Sequence, residues 1–258
     1  MEHGFAERYA DFEQWHWWFR GRRRILDDLL RRRLDGHGPL AIVSLGAGPP
    51  EGLDWLLTLA GARGHVVALD AARVHARRLR PGLHYMVGDL GALPLAPAAF
   101  DVVLALDVLE HLDDDATALA EAARLLKPGA TLVVTVPALP SLWGAQDVVS
   151  HHRRRYTKRT LRTLFARAGL PAPGLTYFNT LLLPPLAAVR WLARARGPSS
   201  EPPSDFEKNR PGLANELLAR IFTLERHLLR HLSLPLGVSL LATLPPRADS
   251  PPSRPRLP

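Results

Sequence analysis

The run LAIVSLGAGPPEG, residues 40–52, constrains the fold more than any other part of the chain. It reads as a buried strand passing into a glycine turn and then into a helix start. Gly46 and Gly48 carry no side chain, so the backbone there can come close to a ligand. The next strand, residues 65–69, runs into Asp70, whose carboxylate is placed to hold a ribose diol. The combination points to a nucleotide-like ligand. A dinucleotide fingerprint needs glycines at the first, third and sixth positions, but counting from Gly46 the sixth is Glu51, so that reading is weak.

Downstream, short apolar runs such as VVLAL and TLVVTV alternate with helical segments, the βαβ pattern of a parallel sheet covered on both faces. Strands are expected near 40–45, 65–69, 84–87, 101–106 and 130–136, and helices near 51–60, 72–79, 115–126 and 158–168. Residues 10–34, rich in aromatics and then arginines, are expected to form one helical leader, broken at 36–39. Lys127, Pro128 and Gly129 should end a helix and turn into the next strand. Leu161, Leu164, Phe165 and Ala168 mark the inner face of the helix that Gly169 stops. In the stretch 213–229, Leu217, Leu218, Ile221, Phe222, Leu224, Leu228 and Leu229 should form an apolar side.

The series LGAGPP, VVALD, GDLGALPLAPAAFDVVLALDVLEHL and LLKPGATLVVTVP, spanning residues 42–137, resembles a class I S-adenosylmethionine (SAM) methyltransferase. A second run, LWGAQDVVSHHRRRYTKRTLRTLFARAGL, resembles a bacterial subgroup associated with glycan or lipid-linked sugar pathways, which also tends to open with a segment like WHWWFRGRR. The resemblance implies a Rossmann-like class I methyltransferase fold: a mostly parallel seven-stranded sheet with helices on both faces. It further implies last strands at about 174–179 and 238–244, with a helical insertion before the final one. The resulting organisation is a leader or lid at 1–36, a SAM-binding core at 37–179, an insertion at 180–236, a final strand at 237–245 and a disordered tail at 246–258. A mobile linker is expected from Gly197 within the insertion.

By the same resemblance the cofactor is SAM, with S-adenosylhomocysteine as product and no metal. Ser44, Leu45, Gly46, Ala47 and Gly48 would meet its methionine tail, Asp70 and Ala71 its ribose, Asp89 and Leu90 its adenine, and Leu106 and Asp107 the region beside the sulfonium. The family's usual acid is replaced here by Ser44, and its usual third glycine by Pro50. Proline suits that place if it is the first helical residue.

Transfer to an oxygen also requires loss of a proton, which a histidine or carboxylate could take. His152, His111 and Asp147 are the catalytic candidates, with His152 preferred because it lies beyond the fifth strand. Trp18, Trp143, His151, Arg154, Arg155 and Tyr156 are the acceptor-binding candidates. Trp15, Trp17, Trp18 and Phe19 would form a lid, with Arg20 and Arg22 to Arg24 adding charge.

The net charge of +8 is carried almost wholly by arginine, since only Lys127, Lys158 and Lys208 are lysines. Clustered guanidinium suits carboxylate or phosphate recognition. That suits an anionic acceptor, while the resemblance implies a small or lipid-linked sugar-like one. There is no cysteine, which excludes disulfides, thiolate metal sites and a cysteine nucleophile. The start of the chain shows no secretory pattern and no apolar run is of spanning length, so a cytoplasmic location is expected. Peripheral contact with the inner face of the membrane through 175–196 is a further expectation. Two other readings stay open: a non-catalytic binding protein on this scaffold, and a nucleic-acid methyltransferase. Against the second, the residues after the fourth strand read LDVLEH and lack an (Asp/Asn)-Pro-Pro-aromatic motif, and nucleic acid is not an expected partner.

Overall fold

The computed structural model describes residues 3–72, 81–195, 205–207 and 209–244. Two helices open it, α1 (His3–Trp15) and α2 (Trp17–Arg33), followed by strand β1 (Ala41–Leu45) and helix α3 (Asp54–Ala60). Then come β2 (His65–Asp70), β3 (Leu83–Val87), β4 (Phe100–Leu106), α4 (Asp115–Arg124) and β5 (Leu126–Pro137). The last part holds α5 (Ala145–Val149), α6 (Lys158–Arg167), β6 (Gly174–Phe178), α7 (Leu183–Ala195), α8 (Leu213–Leu228) and β7 (Ser239–Thr243).

The described strands form one seven-stranded sheet in the order β3-β2-β1-β4-β5-β7-β6, with β7 antiparallel to both neighbours. Order reverses between β1 and β4, and the carboxyl ends of parallel strands at such a switch point open a crevice for ligands. The central strands are buried on both faces: every residue of β1 is buried, as are Val102, Val103 and Leu104 of β4. That burial explains why these segments read as unbroken apolar runs. No helix among the described residues is long and apolar enough to cross a membrane.

Three expectations change. The leader is two helices, because His16 leaves the helical region (φ −66°, ψ 134°) and its Nδ1 accepts the Trp18 amide at 3.2 Å, capping α2. Lys127, Pro128 and Gly129 lie within β5 as an irregularity, where the register with β4 jumps from Phe100–Leu126 to Val102–Thr131. The inward face of α8 is carried by Ala219 and Phe222 with Asn215, Thr223 and Glu225; of the expected leucine side, Leu218, Ile221 and Leu229 pack partly buried against this core, while Leu217, Leu224 and Leu228 are exposed. Contact with α2 selects that face: a Cβ added to Gly21 would fall 2.2 Å from Phe222 Cδ1, so the helices touch where one lacks a side chain. The seam is completed by Trp17 N–H donating to Asn215 Oδ1, Asn215 Nδ2 donating to the Trp15 carbonyl, both at 2.8 Å, and the Arg20–Glu216 ion pair.

The helix expected over 72–79 falls almost entirely outside the described residues, as do most of the expected linker and tail.

Candidate active site

At the end of β1 the chain must turn sharply under the start of α3. Gly46 and Gly48 do so with φ of +61° and +65°, a region that costs an L side chain about 1–2 kcal/mol. Gly46 has a second constraint, since a Cβ would sit 2.3 Å from Val108 Cγ2. Pro50 occupies the first position of a short 3-10 turn, Pro50–Gly52, where no amide partner is needed. Asp70 ties the turn to β2: its Oδ2 accepts the Gly48 amide and its Oδ1 the Ala72 amide, each at 2.8 Å. Tyr85 adds its hydroxyl to the Gly48 carbonyl at 2.8 Å.

Above this turn lies a cavity of about 370 Å³ lined by Ser44, Gly46, Ala47, Gly48, Asp70, Ala71, Leu90, Leu106 and Asp107. These are nine of the eleven residues the sequence assigned to the cofactor. Leu45 points into the sheet core instead, and Asp89 folds back to accept the Gly91 amide at 2.8 Å. The roof comes from the leader: Tyr9, Glu13, Arg22 and Arg23 also line the cavity. Glu13 lies against the glycine turn, its Cδ 2.7 Å from where a Gly52 Cβ would be, and pairs with Arg23 at 2.7 Å and Arg22 at 3.5 Å. Burial pushes its carboxyl up, against the pull of both guanidiniums.

A second cavity of about 340 Å³ adjoins the first. Its walls are largely apolar, including Trp17, Trp18, Leu182, Leu186, Val189 and Phe206, and its polar groups include His16, Glu110, His152 and Asn179. Tyr9, Asp107, His111 and Ser150 line both cavities and so mark where they meet. Asp107 is held there with φ +53° by Arg22 Nη1 at 2.6 Å and by the Thr135 hydroxyl at 2.9 Å.

The His111 and His152 rings stand 4.8 Å apart, edge to face. Burial, reinforced by His152, lowers His111 to about 4, so it is uncharged at neutral pH. His152 bonds through Nδ1 to Asp147 Oδ1 at 2.9 Å, and its Nε2 faces Glu110 Oε1 at 3.9 Å. Glu110 is fully buried, and burial together with Asp107 pushes its carboxyl well above the usual range. Asp147 behaves oppositely. Its burial would raise it, but hydrogen bonds from His152 and Arg155 and the nearby Arg190 hold it below the usual carboxylate range.

The HHRRRY segment is divided among several tasks. His151 lines the first cavity; His152 and Arg155 line the second, where Trp18 joins them. Arg155 is already committed, with Nε at 2.7 Å from Asp147 and Nη1 donating to the Ala138 carbonyl at 2.8 Å. Arg154 and Tyr156 line neither cavity. Both reach Asp115 Oδ2, at 3.1 and 2.9 Å, and Arg154 also bonds the Leu112 and Asp113 carbonyls. Together they brace the loop that carries Glu110 and His111. Trp143 and Asp147 also lie outside both cavity linings, Asp147 standing behind His152. Of the lid aromatics, Trp17 and Trp18 line the second cavity, while Phe19 is buried behind them.

The sequence reading missed Tyr9, Glu13, Glu110 and Asn179. Only Glu110 carried a local signal, its place beside His111 in the LEH turn after β4.

Residues 43–134 match the family described as "Methyltransferase domain". A protein of Mycolicibacterium smegmatis, named a probable S-adenosylmethionine-dependent methyltransferase, is 30% identical over 60% of this chain and 59% of its own length. The trans-aconitate 2-methyltransferase of Azoarcus sp. is 34% identical over 63% of each chain. The chain thus spans less than two thirds of these relatives. A SAM-dependent methyltransferase of Archaeoglobus fulgidus shares the fold, with a TM-score of 0.55 at 17% identity over 92% of this chain and 98% of that one. Residues 43–134 thus match a methyltransferase domain, and the fold built around them is the one seen in a SAM-dependent methyltransferase.

Proposed function

We propose that the protein transfers the methyl group of SAM to an oxygen of an acceptor seated in the second cavity. The observation that carries this reading is the junction: Tyr9, Asp107, His111 and Ser150 belong to both linings, so a donor in one cavity and an acceptor in the other meet at these residues. Holding two reactants in line is the main task of such an enzyme, and positioning is worth about 7–11 kcal/mol. SAM, when bound, supplies the electrophilic methyl group.

The residues present fit that cofactor. The glycine turn is a cradle that side chains at Gly46 or Gly52 would fill. Asp70 uses each oxygen once on a backbone amide, and a carboxylate oxygen has a second lone pair for a ribose hydroxyl. In place of the acid missing at Ser44, the Glu13–Arg23 pair offers one charge of each sign to the ammonium and carboxylate of the methionine tail. An incoming ammonium would draw the Glu13 carboxyl back towards its ionised form.

His111, uncharged and facing both cavities, takes the acceptor proton. His152 orients it from the acceptor side, and Asp147 fixes the His152 ring through Nδ1. The apolar walls of the second cavity favour an acceptor with a hydrocarbon portion, consistent with a lipid-linked molecule.

Calorimetric titration with SAM and S-adenosylhomocysteine tests the cofactor assignment. Saturable binding should be weakened at least tenfold in Asp70→Ala; equal affinity would remove Asp70 from the site. His111→Asn should lower kcat while leaving SAM affinity in place. Unchanged turnover would refute its role, and binding without turnover over any acceptor would favour a non-catalytic scaffold.

A further inference from the structure

Among the described residues, eight buried side-chain nitrogen and oxygen atoms have no hydrogen-bond partner. Five of the eight belong to His16, Glu110 and Asn179, and all three residues line the second cavity. Buried polar groups are rarely left unpaired, so a concentration of them on one cavity describes what the cavity is built to receive.

The three groups differ in what they offer. His16 Nδ1 accepts the Trp18 amide, and burial lowers the ring to about 4, so at neutral pH its single proton is on Nε2. Nε2–H is therefore a buried donor without an acceptor. The Asn179 amide offers both a donor and an acceptor. The Glu110 carboxyl, driven towards its protonated form by burial and by Asp107, offers both as well.

Charge on the same lining is already cancelled. Arg155 is bound to Asp147, and Arg190 lies 3.1 Å from Asp147 and 2.8 Å from Asp205. Asp107 is taken by Arg22. An anionic head would find committed guanidiniums and three acidic side chains, Asp107, Glu110 and Asp205; a cationic head would face the His16 donor and two carboxylates, Asp107 and Asp205, already paired.

We infer that the second cavity selects an uncharged amphiphile, with its chain against Trp17, Leu182 and Leu186 and a head of hydroxyl or amide groups against His16, Asn179 and Glu110. This rests on the reading of that cavity as the acceptor site, and it sets aside the anionic acceptor that the arginine count suggested. Specificity follows from these unpaired groups. A site with unpaired polar groups discriminates strongly against a ligand that cannot satisfy them.

The test is binding, followed by the fluorescence of Trp17 and Trp18, with 1,2-decanediol and decanoate as probes. The diol should saturate the protein at concentrations at least tenfold lower than decanoate. Two variants remove single groups while keeping the local backbone. His16→Asn retains an oxygen to cap α2, and Asn179→Gly suits the +57° φ at that position. Each should weaken the diol roughly tenfold, the effect of one lost hydrogen bond to a buried partner, and leave decanoate unchanged. Decanoate binding as well as the diol, or diol affinity unaltered in both variants, would overturn the inference. So would a crystal structure with the diol bound in which these groups hold only ordered water. SAM titration of the same variants separates the two readings: failure to bind SAM counts against the proposed function, whereas the diol-to-decanoate ratio reports on the cavity alone.

Discussion

Replacing Gly21 by alanine sets two known effects against each other, and their sizes decide the sign. Gly21 lies in the interior of α2, where alanine normally gains about 1 kcal/mol in helix propensity. The added methyl would fall 2.2 Å from Cδ1, 2.8 Å from Cγ and 3.0 Å from Cε1 of Phe222. That ring cannot yield easily: it is fully buried, stacked on Phe178 at 6.0 Å and set edge-on to Trp17 at 5.8 Å. Overpacking of this kind costs about 1–3 kcal/mol, and a ring clamped by two aromatic neighbours belongs at the upper end. The net expectation for Gly21→Ala is a loss of about 2 kcal/mol. In a protein of this size that lowers Tm by roughly 4–8 °C. Arg22 is the next residue, so a displaced α2 also pulls its guanidinium from Asp107 and weakens SAM binding. A double-mutant cycle with Phe222→Ala isolates the clash. In that background the same substitution should stabilise by about 1 kcal/mol, a coupling of about 3 kcal/mol. Urea and thermal unfolding of the four proteins give the answer. Stabilisation by Gly21→Ala alone, or an equal effect in both backgrounds, would show that the helices do not meet as described.

Gly46→Ala should reduce SAM affinity at least tenfold because its methyl meets Val108 at 2.3 Å; at Gly48 the nearest atom is Tyr9 Cε1 at 3.9 Å, so the same change there costs only the strain of its φ, about 1–2 kcal/mol. Calorimetry would refute this ranking if the two variants bound SAM equally. Acid should destabilise the fold through His16 and His111, both lowered to about 4 from an ordinary 6.5 by burial. The unfolded chain then binds more protons between those values, so stability is full above about pH 6.5 and declines as pH falls towards 4, by up to about 3 kcal/mol per ring. His16→Asn should flatten that decline in urea midpoints between pH 7 and pH 5, and an unchanged slope would exclude His16 as a source. Arg22→Met should cost about 3–5 kcal/mol by leaving Asp107 and Glu13 buried without their shared cation. Adding Asp107→Asn should recover part of the loss, and no recovery would mean that the pair is not the cause.

The core was legible because its signals are local. The strand, turn and strand around Gly46, Gly48 and Asp70 are set by residues close in sequence, and short apolar runs read directly as buried parallel strands. The leader was less legible because its role depends on distant partners. Nothing in WHWW reveals a helix break, since His16 leaves the helix without a proline or glycine, capping α2 through its own ring. Glu13 looks like one more surface acid until α1 is laid over Gly52. The arginines misled in a different way. Charge is visible in a sequence but its counter-charge is not, and Arg154 and Arg155 are spent on Asp115 and Asp147. Similarly, leucine spacing in α8 marks an apolar helix without saying that Gly21 will draw Phe222 inward and leave Leu217 and Leu224 outside.

The seam between α2 and α8 also orders events during synthesis. Trp17 and Trp15 find their partner in Asn215, 198 and 200 residues further along the chain. Every strand from β1 to β6 leaves the ribosome before that partner exists, so the glycine turn and Asp70 can be assembled while Glu13, Arg22 and Arg23 lack their final anchorage. Closing so long a loop is entropically costly, and contacts of this kind form late. The nascent chain therefore passes through a stage with an open crevice, and its roof is fastened only when the insertion arrives. Ribosome-stalled chains ending before and after α8 should accordingly differ in protease protection of the leader while sharing a protected central sheet.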